Sequence, residues 1–229
     1  MDYIGNELEI FDNATNWKEY WFSAISRHLN GKVLEVGAGL GSNTMLLNNH
    51  SKVTSITCLE PDRKLYAQLK AKSEQLSKVE VVINDTIQVV EKEKYDTIIY
   101  IDVLEHIDDV KSEVASMKRC LSKEGKIIIL VPAYQYLFSD FDRAIGHFRR
   151  YDRDLLLMQL SPFKKDSLFY LDSMGYFASL ANKTFLKKSE PSKSNIKFWD
   201  SLLVPASRVF FDLIFMRSFG KSLIGVFKI

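Results

Sequence analysis

The stretch V-L-E-V-G-A-G-L-G-S-N-T, residues Val33–Thr44, has the pattern of a β-strand, a glycine-rich turn and the start of a helix. Its three glycines, Gly37, Gly39 and Gly41, let the chain turn sharply and let a ligand lie against bare backbone. A glycine-rich turn after a strand is shared by several classes of nucleotide-binding protein, and it can also be a tight turn with no ligand. The motifs in the rest of the chain decide between a nucleotide-binding turn and a turn without a ligand.

Further strands follow this unit at regular intervals. Short runs rich in valine and isoleucine, bounded by polar residues, glycine or proline, are typical of buried parallel strands. We predict five such strands, at Lys32–Val36, Val53–Leu59, Val79–Ile83, Tyr95–Ile101 and Lys126–Val131. Segments of helical character lie between them, at Asn43–Asn49, Arg63–Gln75 and Val110–Leu121. This alternation predicts right-handed crossovers and helices on both faces of a parallel sheet.

The two ends of the chain complete the predicted sheet. A leading helix is indicated by an apolar stripe at four-residue spacing, at Trp17, Trp21, Ile25 and Leu29. Asp166–Leu171 is expected to be a sixth strand, and Ser222–Ile229 a last strand that pairs antiparallel with its neighbour. The predicted fold class is therefore α/β, a doubly wound, seven-stranded, mostly parallel sheet with helical additions near the C-terminus.

Composition limits the classes of protein to consider. The chain has 229 residues and a net charge of +2, but residues 140–229 carry 15 basic and 9 acidic side chains. That half suits an anionic acceptor or an anionic surface, although an evenly solvated set of lysines gives the same count. Its two cysteines, Cys58 and Cys120, lie in apolar runs typical of buried free thiols. With no N-terminal signal and no long uncharged apolar stretch, the sequence predicts a cytoplasmic globular protein.

Acidic residues stand at the ends of the predicted strands. Glu60 lies 19 positions after Gly41 at the tip of the second strand, where doubly wound folds bind ribose hydroxyls with a carboxylate. Asp85 follows the third strand and Asp102 follows the fourth. The dinucleotide fingerprint requires a small residue at position 42, and Ser42 is nearly small enough, so this position separates the two nucleotide classes only weakly.

Four motifs in this order resemble one family, the class I methyltransferases that use S-adenosylmethionine (SAM). The motifs are V-L-E-V-G-A-G-L-G, C-L-E-P-D, N-D-T and Y-D-T-I-I-Y-I-D-V-L-E-H-I, within about residues 15–135. The resemblance implies one methyltransferase domain over residues 1–229, with a cofactor-binding core at 15–135. Residues 136–229 are then the acceptor-side loop, lid helices and last strands. SAM is the implied cofactor and S-adenosylhomocysteine (SAH) its product.

The resemblance also implies which residues hold the cofactor. The glycine turn cradles it, Glu60 holds the ribose, Asp85 reaches the adenine, Asp102 faces the methionine end and Glu35 supports the amino group. The full set of implied cofactor contacts is Glu35, Gly37, Ala38, Gly39, Gly41, Glu60, Pro61, Asp85, Thr86, Asp102 and Val103.

The acceptor side is expected at Pro132–Tyr151, which is dense in Tyr, Asp, Arg and His and follows the fifth strand. Its D-x-x-x-G-H-x-R-R-Y string resembles one in a subgroup of bacterial methyltransferases. His147 is a candidate general base with Asp142 as its orienting partner, and His106 is a second candidate base. The candidate acceptor contacts are Tyr134, Arg149, Arg150 and Tyr151, since guanidinium groups suit a carboxylate or phosphate. The alternative is an Asp–Arg network that only pins a long loop.

A metal site is the less favoured reading of the same residues. Asp102, Glu105, His106 and His147 form a carboxylate and imidazole set, and some methyltransferases hold a divalent ion with such a run and a distant histidine. Because acid-x-x-Glu-His is also frequent in metal-free relatives, we expect no metal.

Two apolar segments near the C-terminus are predicted to be helical, Gly175–Lys188 and Phe198–Phe219, with a loop at Ser189–Ser194 between them, and the role of the aromatic second segment stays open. It contains Phe198, Trp199, Phe210, Phe211 and Phe215. We expect a lid or core role over the acceptor pocket, with a peripheral membrane surface or a dimer seam as alternatives.

The favoured function is methyl transfer to a small or lipid-linked metabolite. The alternatives are an inactive SAM-fold scaffold module and an NAD-dependent oxidoreductase. Nucleic acid is disfavoured as a partner because no basic stripe with interleaved aromatics stands out beyond residues 147–153. The oligomeric state stays open.

Overall fold

The computed structural model describes residues 7–84, 87–186 and 192–229. These residues form a seven-stranded sheet in the order β3-β2-β1-β4-β5-β7-β6. Its strands are β1 Gly31–Val36, β2 Val53–Glu60, β3 Val79–Ile83, β4 Tyr95–Ile101, β5 Leu121–Pro132, β6 Lys164–Leu171 and β7 Ser222–Lys228. Only β7 runs antiparallel to its neighbours among these strands. The predicted fold class is therefore confirmed, including the reversed last strand.

Helices cover both faces of the sheet. They are α1 Glu7–Asp12, α2 Thr15–Ile25, α3 Ser42–Asn48, α4 Arg63–Ser73, α5 Val110–Cys120, α6 Asp140–Ala144, α7 Arg153–Gln159, α8 Ser173–Ala181, α9 Lys193–Phe198, α10 Val204–Ala206 and α11 Asp212–Ile214. Alternate residues of β5 serve the two sides: Ile127 and Ile129 pack in one apolar cluster, and Ile128 and Leu130 in the other. A central strand buried on both faces explains its uninterrupted apolar run.

Some element boundaries differ from the predicted ones. The leading helix α2 stops at Ile25 and a 3₁₀ turn follows, so Leu29 of the predicted stripe lies beyond the helix, although it is buried. Strand β5 begins at Leu121 rather than Lys126, because Leu121 pairs with Tyr95 before the register shifts. Such shifts depend on pairing partners, which periodicity in one segment does not contain.

The chain from 193 to 214 is one helical run in which α9, α10 and α11 alternate with π-helical segments at Trp199–Leu203 and Ser207–Phe211. The predicted helix Phe198–Phe219 is therefore displaced towards the N-terminus. The predicted helix at 175–188 and the loop at 189–194 lie partly outside the described residues. No helix in the described ranges is long and apolar enough to cross a membrane.

Buried carboxylates attach this helical run to the rest of the molecule. Asp200 accepts a 2.8 Å hydrogen bond from the backbone N–H of Trp17, at the start of α2. Asp212 accepts one of 2.9 Å from the N–H of Ser173, at the start of α8, and one of 2.6 Å from the Tyr20 hydroxyl. Both acids thus satisfy unpaired N–H groups at the first turns of other helices, as a local N-cap does.

Candidate active site

The glycine turn after β1 lies at the carboxyl edge of the sheet. Gly37, Gly39 and Gly41 all have positive φ, at 67°, 54° and 80°. A Cβ on Gly37 would stand 2.6 Å from the Val103 side chain, and one on Gly41 would stand 2.6 Å from Leu69. Among the described residues, a Cβ on Gly39 would meet Leu8 alone, at 3.8 Å. Two glycines are thus required by packing, while Gly39 leaves open space where a nucleoside can lie against the backbone.

Glu60, at the end of β2, faces that open space. Its carboxylate is buried and accepts a 2.7 Å hydrogen bond from the Gly39 N–H and a 2.9 Å bond from the Asp62 N–H. Burial raises the pKa of Glu60, against the lowering effect of these two N–H donors. The acid is thus held beside the glycine turn, and its remaining lone pairs can accept from two ribose hydroxyls.

Glu35 lies beneath the glycine turn. It is buried and accepts hydrogen bonds from the Thr44 hydroxyl at 2.6 Å and the Cys58 thiol at 3.5 Å. Burial raises the pKa of Glu35 to about 7. Its two partners join β1, α3 and β2, so the residue ties together the elements that form the turn.

Glu35→Gln should flatten the dependence of stability on pH. A carboxyl whose pKa is raised on folding stabilises the native state fully below its unfolded pKa and loses that contribution as pH rises through the folded value. Between pH 4.5 and pH 7, Glu35 should lower the free energy of unfolding by roughly 3 kcal/mol, which the Gln variant retains. Urea unfolding across this range measures the change, with Glu124→Gln, which alters an exposed glutamate near the start of β5, as control. Parallel curves for wild type and Glu35→Gln would contradict the assignment.

The end of β4 supplies the next group. Asp102 has a positive φ of 53° and is exposed at the carboxyl edge of the sheet. Desolvation by the surrounding protein raises its pKa to about 6. The positive charges of His147, Lys221 and Arg150 oppose that rise in the pKa of Asp102. Of the other implied cofactor contacts, Ala38 is buried beside the turn. Pro61 follows Glu60 and is partly buried, whereas Asp85 and Thr86 lie outside the described residues.

Asp142 is the centre of the acceptor-side loop. It is fully buried and accepts from His147 Nδ1 at 2.9 Å, from Arg150 Nε at 2.8 Å and from Arg150 Nη2 at 2.9 Å. Ser139 adds a capping box at the start of α6. Burial raises the pKa of Asp142, but the hydrogen bonds from His147 and Arg150 together outweigh it and hold the pKa well below its ordinary value. The predicted contact between Asp142 and His147 is present.

Two histidines and a glutamate meet beside this pair. His147 Nε2 lies 3.8 Å from Glu105 Oε1, and the rings of His106 and His147 meet edge to face at 4.5 Å. Burial and the charge of His147 lower the pKa of His106 to about 4, which keeps it neutral. Both oxygens of Glu105 are buried without a hydrogen-bond partner in the described part of the chain, and burial raises its pKa well above the ordinary value.

Three of the four residues weighed as metal ligands come together here. One ligand atom each from Glu105, His106 and His147 lie within 4.8 Å of one another. Asp102 is not part of this group. The expectation of no metal stays a prediction.

The four predicted acceptor contacts have different surroundings. Arg149 donates to the carbonyls of Ile107 at 2.6 Å and Asp108 at 3.2 Å, and Tyr151 is fully buried. These contacts favour the alternative expectation, in which Arg149 and Tyr151 hold the long loop in place rather than bind the acceptor. Arg150 donates hydrogen bonds from Nε and Nη2 to Asp142, whereas its Nη1 is buried without a hydrogen-bond partner among the described residues. Tyr134 stacks on Tyr136 and Tyr170 at 5.2 and 5.1 Å.

Lys221 is a candidate site residue that the sequence reasoning missed. It immediately precedes β7, and its Nζ lies 4.2 Å from the centroid of the Trp199 ring. In the described ranges this nitrogen makes no hydrogen bond or salt bridge, and burial lowers its pKa against the raising effect of Asp172 and Asp102. The antiparallel last strand starts at the edge where the parallel strands end, which brings Lys221 to this edge, but one lysine before a strand has no distinguishing pattern in the sequence.

Comparisons with known proteins agree with this geometry. Residues 34–127 match the family described as a methyltransferase domain, and no curated protein matches the chain. The structure is similar to coclaurine N-methyltransferase bound to N-methylheliamine and SAH, at 14% identity, with 94% of this chain and 72% of that chain covered and a TM-score of 0.64.

Two further solved structures resemble almost the whole chain. One is an S-adenosylmethionine-dependent methyltransferase from Clostridium acetobutylicum ATCC 824, at 12% identity, with 97% of both chains covered and a TM-score of 0.62. The other is the N-methyltransferase NodS from Bradyrhizobium japonicum WM9 in complex with SAH, at 13% identity, with 94% and 86% covered and a TM-score of 0.60. At these identities the likeness establishes the fold.

Proposed function

We propose that this chain is a class I SAM-dependent methyltransferase and that it methylates a small or lipid-linked acceptor bearing an anionic group; the match of residues 34–127 to the methyltransferase-domain family and the fold shared with known methyltransferases support the proposal. The observation that carries the proposal is the pair of cationic groups beside Asp102. Among the described residues, Arg150 Nη1 is buried without a hydrogen-bond partner and Lys221 Nζ makes no hydrogen bond or salt bridge, and both positive charges lower the pKa of Asp102. The N–H donors left over on these two cations can be satisfied by an anionic group.

The residues around the glycine turn suit SAM. The open side of Gly39 leaves room for the nucleoside, Glu60 faces it with lone pairs for the ribose, and Glu35 holds the turn from beneath. SAM supplies a methyl group that its sulfonium already activates. The protein's own work is therefore to align the acceptor, exclude water and take a proton where the acceptor carries one.

Lys221 and Arg150 would orient the acceptor. A carboxylate or phosphate can accept from the Lys221 ammonium and from the free Nη1 of Arg150, in charge-assisted hydrogen bonds. Asp142 fixes the guanidinium plane by its two hydrogen bonds to Nε and Nη2. The small-molecule acceptor of the similar coclaurine enzyme supports a small acceptor here, and the proposal of an anionic group comes from these two cations.

His147 would take the proton. Asp142 holds its Nδ1–H at 2.9 Å, which leaves Nε2 as the basic nitrogen, and Glu105 lies 3.8 Å from Nε2. The Asp142 carboxylate stabilises the imidazolium that forms when Nε2 accepts a proton. His106, kept neutral by burial, packs against the His147 ring as the second candidate.

Label transfer tests this function. With methyl-tritiated SAM and the small-molecule and lipid fractions of a cell extract, wild-type protein should label an anionic product. Lys221→Met should cut the label by about tenfold through loss of one charge-assisted contact. His147→Ala should cut it by about tenfold or more through loss of the base. Both variants should bind SAH, measured by calorimetry, as wild type does.

A matched control variant shows whether a loss of labelling is specific to the substituted residue. Lys228→Met removes an exposed lysine from the other end of β7 and should leave labelling unchanged. A neutral product, or full labelling by Lys221→Met, would refute the anionic acceptor. Equal loss of labelling and of SAH affinity in His147→Ala would make His147 architectural.

A further inference from the structure

The helical run 193–214 has an inverted distribution of polarity. Its two acids, Asp200 and Asp212, are buried, and its three bases, Lys193, Lys197 and Arg208, are exposed. Surface helices normally bury their apolar face. Here the first turns of α2 and α8 require acceptors, and the two acids supply them from the inward face.

The outward face is consequently apolar. Seven large side chains on and just after the run are each more than half exposed, and we call them the apolar face: Phe198, Leu202, Val209, Phe210, Leu213, Ile214 and Met216. Single exposed apolar residues are ordinary, but a contiguous set on one element marks a surface that is covered in use.

We propose that the apolar face docks on the interface of an anionic lipid bilayer, with the helical run lying in the membrane plane. Interfacial helices combine buried aromatic and aliphatic side chains with lysine and arginine that attract anionic lipids. The apolar face provides the first, and Lys193, Lys197 and Arg208 provide the second without an exposed acid in the run. The hydrogen bonds of Asp200 and Asp212 hold the run to the domain along its inward side, so the outward face can lie in the membrane plane.

A groove beside the apolar face suits a lipid headgroup. It has a volume of about 420 Å³ and lies between α1 and the helical run, lined by Ile10, Lys193 and Lys197 and also by Asp200, whose carboxylate accepts the Trp17 N–H. Two lysines at the border of an apolar surface can hold a phosphate while acyl chains meet the apolar face. The groove is thus placed where a headgroup of the outermost lipid layer would lie.

Aromatic rings connect this surface with the acceptor side. Tyr134, at the end of β5, contacts Tyr176 at 5.4 Å between centroids, and Tyr176 contacts Phe219 at 5.5 Å. From there the contacts continue to Phe215 at 4.7 Å, then to Phe211 at 6.3 Å and to exposed Phe210 at 5.3 Å. This continuous apolar surface would let an amphiphilic acceptor keep its chain shielded from water between bilayer and site, a consequence that rests on the proposed function.

Charge favours a bilayer over a second copy of the chain. A twofold interface would bring the same patch against itself. The exposed lysines would then face their own copies, while both acids of the run are turned inwards. Glu19, 3.8 Å from Arg208, is an exposed acid beside the run. An anionic bilayer meets the bases with opposite charge over the whole face.

Vesicle sedimentation tests the docking. Wild-type protein should sediment with vesicles of phosphatidylcholine and phosphatidylglycerol, and about tenfold less with phosphatidylcholine alone. Val209→Glu/Leu213→Glu should weaken binding to the mixed vesicles by about tenfold or more, because two carboxylates replace apolar contact. Lys193→Glu/Lys197→Glu should weaken it by about tenfold, and added salt should do the same to wild type.

Controls separate docking from folding and from catalysis. Met158→Glu changes an equally exposed apolar residue on α7 and should leave sedimentation unchanged. SAH calorimetry on each variant reports whether the cofactor site persists, so docking can fail while methyl transfer stands. The proposal is overturned if wild type ignores both vesicle types, binds both equally, or forms a dimer in light scattering that Val209→Glu/Leu213→Glu dissociates.

Discussion

Glu60→Gln is expected to weaken SAH binding by about a hundredfold, the largest functional effect of a single isosteric change in this protein. The carboxylate accepts the Gly39 N–H through one oxygen and the Asp62 N–H through the other. A glutamine has only one oxygen, so its amide NH₂ must face one of these N–H donors. The amide would also lose the charge that two ribose hydroxyls bind in charge-assisted hydrogen bonds.

Calorimetry with SAH measures the effect directly. Glu80→Gln, which changes an exposed glutamate on β3, serves as the matched control and should bind as wild type does. The melting temperature of Glu60→Gln without ligand shows whether the turn remains folded. Wild-type affinity in a folded Glu60→Gln protein would remove Glu60 from the cofactor site and leave the glycine turn without its proposed ribose partner.

Asp142→Ala is expected to cost the most stability of any substitution in the acceptor-side loop, about 3–5 kcal/mol. Removal of the carboxylate leaves the buried Arg150 guanidinium without its two hydrogen bonds and His147 Nδ1 without its acceptor. It also removes the capping box that begins α6. For a chain of this length the loss corresponds to a decrease in melting temperature of about 10 °C.

The dependence on pH gives this prediction a second readout. Because the pKa of Asp142 is depressed in the folded protein, its contribution is present above the unfolded pKa and is lost as pH falls through the folded value. Wild type should therefore lose stability on acidification relative to Asp142→Asn, opposite in sign to the effect of Glu35. Asp140→Ala, on the exposed side of α6, is the control. A change below about 1 kcal/mol in Asp142→Ala would mean that the Asp–Arg pair does not hold the loop.

The cofactor half of the site was within reach of the sequence. A strand, a turn that needs positive φ and an acid at the next strand tip are local patterns, and a parallel sheet brings all strand tips to one edge. Gly37, Gly39, Gly41 and Glu60 therefore lie where the motifs predict. The seven-stranded, mostly parallel sheet with a reversed last strand also followed, because strand–helix alternation permits few topologies.

The acceptor half depends on partners that are distant in sequence. The sequence suggested His147 with Asp142 but not that Arg150 gives two of its nitrogens to the same carboxylate. Lys221 was missed because one lysine before a strand has no distinguishing pattern. Which charges are paired and which remain open is decided by three-dimensional proximity, and spacing along the chain does not encode it.

The C-terminal helices show most clearly what a local sequence pattern does not predict, namely which face of a helix is buried. Their apolar residues predicted a lid or core role: Trp199 is buried in the core, whereas Phe198 and Phe210 lie outside and Asp200 and Asp212 lie inside. The sequence by itself determined that a helix forms there, because helical propensity and periodicity are properties of the segment. Tertiary structure decided which side faces inwards, because the buried first turns of two other helices require acceptors and only that orientation provides them.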